Sequence, residues 1–238
     1  MNIFGSFSFG KLIKTFLPGF LIILTLIGYL DLFIVLIGNA HIFKKLFLNN
    51  CLITVSFLIP FSIIFGIFSN IIFFTYATDI LIRKPHEKKD PTFYSYEKSI
   101  HNLIKNHYSK HLFISEIDIN NFFNYCDVPY FILRDLPLDK LVFLQDSYWY
   151  YLEFQLNILF ALVLSSPLII CQLHTVLMPI EISIMIKSVI IAFAIITLAL
   201  LMYILLKTAR INFDLYKKKY LSLLISNFYT LEIKEKAQ

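Results

Sequence analysis

This sequence is short of charge, of tryptophan and of cysteine. Asp, Glu, Lys and Arg make up 16% of 238 residues. Soluble domains carry about 25%. Hydrophobic residues make up 58%, and the mean hydropathy is +0.72. A soluble fold with so few polar groups could not cover its own surface, so the composition indicates an integral membrane protein. The three cysteines, Cys51, Cys126 and Cys171, fall in no CxxC or other ligand spacing. Neither a disulfide framework nor a zinc site is expected. P-loop, GxSxG and HExxH patterns are missing, and so is any clustered run of carboxylates. No Arg is followed by His four to six residues later, which removes one RNase signature. The expectation is a chain with no catalysis, no cofactor and no metal. No small-residue cleavage site follows the first apolar run, so no cleaved signal peptide is expected.

What is abundant is apolar length. The chain holds 25 Phe and 14 Tyr, with much Ile, Leu, Lys and Asn, a composition that suits an AT-rich bacterial gene. Crossing about 30 Å of hydrocarbon takes roughly 20 helical residues. Four stretches are long enough: Phe16 to Gly38, Cys51 to Tyr76, about Leu152 to Cys171, and Ser188 to Leu206. The expected fold is an all-α integral membrane protein with four transmembrane helices and a small helical cytosolic module. Its segments are an N-terminal piece over 1–15, spans one and two over 16–76, a helical insert over 77–151, spans three and four over 152–206, and a basic helical tail over 207–238. No internal repeat is visible, and the halves show no inverted pattern of the transporter kind.

Orientation follows from Lys and Arg. The N-terminus, insert and tail together hold 18 of the 21 basic residues, while the two short loops hold only Lys44, Lys45 and Lys187. The larger segments are therefore expected in the cytosol of a bacterial inner membrane, both termini included. Arg83, Lys84, Lys88 and Lys89 directly follow span two, where the rule has most force.

The insert reads as helical. Phe93, Tyr96, Ile100, Leu103, Ile104, His107, Tyr108 and Leu112 recur at three- to four-residue spacing, as on one apolar helix face. Pro91 sits near the start of that helix. A second helix is expected after Ser115, with Glu116 and Asp118 in its first turn. Pro129 and Pro137 bracket a short connection. From Leu138 the helical pattern runs into span three without a breaker. In the tail, Leu206, Phe213 and Tyr220 are seven apart, as are Ala209, Tyr216 and Leu223, so span four is expected to continue as one helix.

Several polar residues are candidates for more than solubility. Tyr148, Trp149, Tyr150 and Tyr151 form an aromatic belt at the cytosolic headgroups, and Glu153 lies just inside it. Glu153 reads as an interfacial carboxylate, with Arg83 and Arg210 as natural partners, or as a group facing an oligomer cavity. Asp31 lies within span one, where a carboxylate is costly. It is read as an outer-headgroup residue, a pore-lining ring, or a partner of Lys187. Ser62, Gly66 and Asn70 are four apart on span two, a small and polar stripe suited to close helix packing or a polar conduit. Asn70 and Asn157 fall at similar depth, within reach of a hydrogen bond. Pro60 and Pro167 are expected to kink their helices. His101, His107 and His111 lie on or near one helix, a weak metal pattern set against partial burial. Lys217, Lys218 and Lys219, with their flanking aromatics, and the Arg83–Lys89 cluster are candidate docking faces for anionic lipid, a cytosolic protein or nucleic acid.

The order is two spans, a helical cytosolic insert, two spans and a basic tail. In that layout the chain resembles the small membrane components of bacterial anti-phage defence systems, most nearly the four-span membrane subunit of the Kiwa system. The resemblance implies an oligomeric membrane sensor that recruits a cytosolic nucleic-acid-binding effector. It carries over no residue. Independently of it, the Ser62–Gly66–Asn70 face and the stripe in the tail both ask for helix partners, so a homo-oligomer, a tetramer, is expected. The competing readings are a pore-forming effector that depolarises the cell and a small transporter using an intramembrane acid.

Overall fold

The computed structural model describes residues 9–37, 51–111 and 143–236. The second insert helix, the Pro129–Pro137 connection, Cys126 and the start of the pattern at Leu138 lie outside these residues. Every regular element among them is helical, with no strand. The long helices are α1 (Phe9–Leu36), α2 (Cys51–Phe68), α3 (Pro91–His111), α4 (Tyr150–Leu177) and α5 (Ile184–Lys236). Beyond α2 the chain stays helical through Lys89, with π-helical stretches at Ser69–Phe74 and Thr78–Arg83. A third π stretch, Gln145–Trp149, leads into α4.

Among the described residues, four helices are long and apolar enough to cross a membrane. In the last of them, α5, the candidate span covers 46 residues, from Ile184 to Tyr229. At 1.5 Å per residue it is about 69 Å long, more than twice the hydrocarbon thickness. A single crossing would leave its charged part, from Lys207 on, outside the hydrocarbon, and would do the same for the charged end of the Ser56–Lys89 helix.

The chain forms two compact units. The first is Met1–Leu81 with Tyr150–Ile211, and the second is Ile82–Trp149 with Asn212–Gln238.

In the first unit α1 packs on both α2 and α4. Gly19 and Gly66 make the α1–α2 crossing possible. A Cβ on Gly19 would strike the Ser62 carbonyl, and one on Gly66 would strike the Thr15 carbonyl. Thr15–Gly19 and Ser62–Gly66 are thus reciprocal pairs of small residues four apart, and the two backbones touch through them. Further along α1, Gly28 lies against Leu168 and the Tyr29 hydroxyl donates to the Leu164 carbonyl at 2.9 Å, both on α4.

Helices α1, α2 and α4 each continue through a proline, at Pro18, Pro60 and Pro167. Pro167 leaves the Val163 carbonyl without its backbone donor, and the Ser166 hydroxyl donates to it at 3.0 Å. No residue in the most apolar window of α5 is buried.

In the second unit α3 begins with Asp90 as its cap. Asp90 Oδ1 accepts from the Phe93 amide at 3.1 Å, and Pro91 takes the first helical position. The face turned inward differs from the one expected. Tyr96 and Leu103 are 66% and 57% exposed, while Glu97 is buried and Phe93, Tyr94 and His101 are half-buried. Polar partners outcompete the apolar stripe here: Glu97 is drawn in by Lys217 of α5.

Candidate functional site

Glu153 is buried near the start of α4, where it forms an ion pair with Lys14 of α1. The Lys14 ammonium also lies 4.2 Å from the centre of the Tyr150 ring. The aromatic belt thus supplies a cation–π face to the cation that neutralises Glu153. Arg210, expected as a partner, instead donates from Nε to the Leu81 carbonyl at 3.2 Å. Lys14 had counted only as a topology charge.

One turn further along α4, Asn157 is fully buried. Its Nδ2 donates to Asn70 Oδ1 at 3.0 Å, and its Oδ1 accepts from the Ser69 hydroxyl at 2.9 Å. The stripe read as Ser62, Gly66 and Asn70 assumed α geometry throughout. Regular α geometry ends at Phe68, and the π turn starts at Ser69. A π turn holds more residues than an α turn, so neighbouring side chains diverge less. Ser69 and Asn70 can then both reach Asn157, and Ser69, which the spacing did not single out, is the more buried of the two.

Ser62 and Thr25 are buried and bond to carbonyls of their own helices, Leu58 and Leu21. The stacked rings of Phe73 and Phe160, with centroids 4.3 Å apart, lie beside this polar seam. Asp31 is half-buried on α1. Lys187, its expected partner, donates to the Met178 carbonyl at 3.0 Å and so covers the end of α4.

Two features had suggested association between copies: the Ser62–Gly66 face and the stripe in the tail. The first is covered by Thr15 and Gly19 of the same chain. In the second, Ala209 and Phe213 are buried within the chain.

The second unit holds most of the basic residues. Arg83, Lys84, Lys88, Lys89 and Lys219 are exposed. Lys217 is half-buried and donates to Glu97 Oε1 at 2.6 Å, so it fastens the tail to α3. Lys218 bridges to Asp214 at 2.9 Å, one turn away on α5. These three lysines thus do different work, and of the three only Lys219 stands clear of an ion pair among the described residues.

His86 and Asp214, which the sequence did not single out, meet at 3.0 Å. Burial alone would raise the Asp214 carboxyl. Hydrogen bonds from Lys218 and His86 outweigh it and hold the group below the usual carboxylate range. Tyr94 is pushed up to about 12, first by burial and then by the Glu97 and Glu87 carboxylates.

Among the described residues no group of three His, Cys, Asp or Glu side chains is placed to hold a metal. The side chains of His107 and His111 lie outside the described set. Cys171 is an exposed free thiol. Set beside known protein families, characterised proteins and solved structures, the chain matches none, so its site is read from its own geometry.

Proposed function

We propose that this chain is a non-catalytic, multi-pass anchor and sensor of the bacterial inner membrane that couples a membrane event to a cytosolic effector. On this reading the N-terminus, insert and tail lie in the cytosol, and the setting is anti-phage defence. The observation that carries it is the second unit. Insert and tail form a compact body whose internal charges pair with one another, while Arg83, Lys84, Lys88, Lys89 and Lys219 remain exposed. A basic surface next to a span suits anionic lipid, and it equally suits an acidic or nucleic-acid-laden partner. The defence setting and the nucleic-acid-binding character of the effector rest on the layout resemblance.

The buried polar groups of the apolar unit favour an anchor over a pore. Ser62, Ser69, Thr25 and Asn157 are closed off inside one chain by hydrogen bonds to protein groups. Self-association, with a tetramer as the expectation, has in α5 a helix whose apolar window buries nothing within the chain.

The test reverses charge at Lys88, Lys89 and Lys219 and leaves Lys217 intact, since Lys217 holds α3. In cells carrying the native locus, phage protection should fall while membrane level and topology stay normal. Full protection by the triple Glu variant would reject this surface. Cysteine labelling at positions 40, 88 and 238 tests topology, and finding positions 40 and 88 on one side would reject the four-span arrangement.

A further inference from the structure

His86 lies in the helical stretch Lys84–Lys89, and three rings box its imidazole. The centroids of Phe93, Tyr94 and Phe213 are 5.9, 5.6 and 5.5 Å away, with interplanar angles of 82°, 71° and 79°. His86 Nε2 meets Asp214 Oδ1 at 3.0 Å, while Lys218 donates to the other carboxylate oxygen at 2.9 Å. Asp214 is therefore shared between a fixed cation and a group whose charge is conditional. His86 Nδ1 is buried and has no hydrogen-bond partner among the described residues.

In this cluster only an imidazole is of a type that changes charge between about pH 5 and 8. Asp214 is held below the usual carboxylate range and stays ionised there. Its hydrogen bond to Lys218 raises the ammonium, which stays charged. Tyr94, pushed up to about 12, stays neutral. The charges flanking His86 in sequence are Arg83, Lys84, Glu87, Lys88, Lys89 and Asp90, and the Glu97–Lys217 pair of α3 and α5 lies near Tyr94.

We propose that His86 is a proton-controlled latch fastening the tail part of α5 to the insert. Protonated, it holds Asp214 as an ion pair. Neutral, it still donates from Nε2 to the ionised carboxylate, but the attraction between opposite full charges is gone, so the grip on Asp214 slackens as pH rises. The latch makes the presentation of insert and tail depend on local proton concentration. Its link to partner docking rests on the function proposed above, whereas the latch itself does not.

The chain carries its own reporter. Trp149 is the single tryptophan, and its ring centre lies 4.9 Å from that of Tyr216, two residues beyond Asp214. The full-length chain in lipid nanodiscs would be titrated from about pH 5 to 8 while Trp149 emission is followed. Wild type should show one transition. His86→Gln, which can still donate but cannot gain charge, should lose it, and so should Asp214→Asn. A flat wild-type titration overturns the proposal, as does a transition that survives His86→Gln or that follows His101→Gln instead. If His86→Gln loses helicity by circular dichroism, Asp214→Asn decides: loss of the transition supports the latch, and retention overturns it. Because no partner takes part, a failed latch and a failed docking surface give different results.

Discussion

In the unit of residues 1–81 and 150–211, helices meet through glycine, hydroxyls and neutral amides; in the unit of 82–149 and 212–238, they meet through ionisable pairs. Gly19, Gly66, Ser69, Asn70 and Asn157 do the first job, and His86, Asp214, Glu97 and Lys217 the second. The difference is the one that lipid around the first unit and water around the second would produce. Apolar helices in lipid gain nothing by hiding from water, so close backbone approach and neutral hydrogen bonds must hold them. Outside lipid a charge can be carried cheaply until it finds a partner. One ionic pair, Lys14–Glu153, does occur in the first unit, placed beside the aromatic belt.

The comparison breaks most visibly at the α1–α2 crossing. Gly66→Leu drives a side chain into the Thr15 carbonyl, which is backbone and cannot step aside. The expected loss is about 3 kcal/mol, read as reduced resistance to denaturant in detergent. A variant that keeps its stability but changes oligomer mass would move this contact to an interface between copies.

Next is the Lys217–Glu97 pair, whose side chains are 21% and 11% exposed. Lys217→Gln leaves a mostly buried carboxylate without its cation, a loss of about 2 kcal/mol confined to the second unit. Hydrogen exchange should quicken in α3 and the tail and stay unchanged in α1 and α2. Asn157→Ala is smaller, about 1 kcal/mol, because neutral interhelical bonds in membranes contribute modestly. It should loosen α2 and α4 by an amount independent of pH. A pH-dependent loss would mean that the seam senses charge, and the contrast between the units would fail.

The four apolar runs were legible because length and hydropathy alone decide them. Ser62 and Gly66 share a face because α geometry runs to Phe68, while Ser69 was hidden by the π turn that follows. Thr15 and Gly19 form a small-residue pair, but Pro18 lies between them and draws the eye to a break. The Asp90 cap had a local signal, Asp before Pro at a helix start. His86 and Asp214 had none, being 128 residues apart and joined only by the fold. The apolar stripe on α3 misled because Tyr96 and Leu103 point outward once Glu97 is drawn in by Lys217.

The smallest effect is on the acid side of the second unit. Asp214 is more than a third exposed, so solvent screens much of its pairing. Its folded carboxyl nevertheless lies below the ordinary range, because bonds from Lys218 and His86 outweigh burial. A carboxyl depressed on folding stabilises the folded state fully above its unfolded value of about 4, and that contribution is lost as pH falls through the folded value. Hydrogen exchange in the tail should therefore quicken below about pH 4, beyond the intrinsic change of rate, and Asp214→Asn should remove that extra acid sensitivity. The amides of α2 around Gly66 should show none of it, since neutral groups and backbone hold that crossing. Equal acid loosening in both units would erase the distinction between a titratable and a neutral half of the molecule.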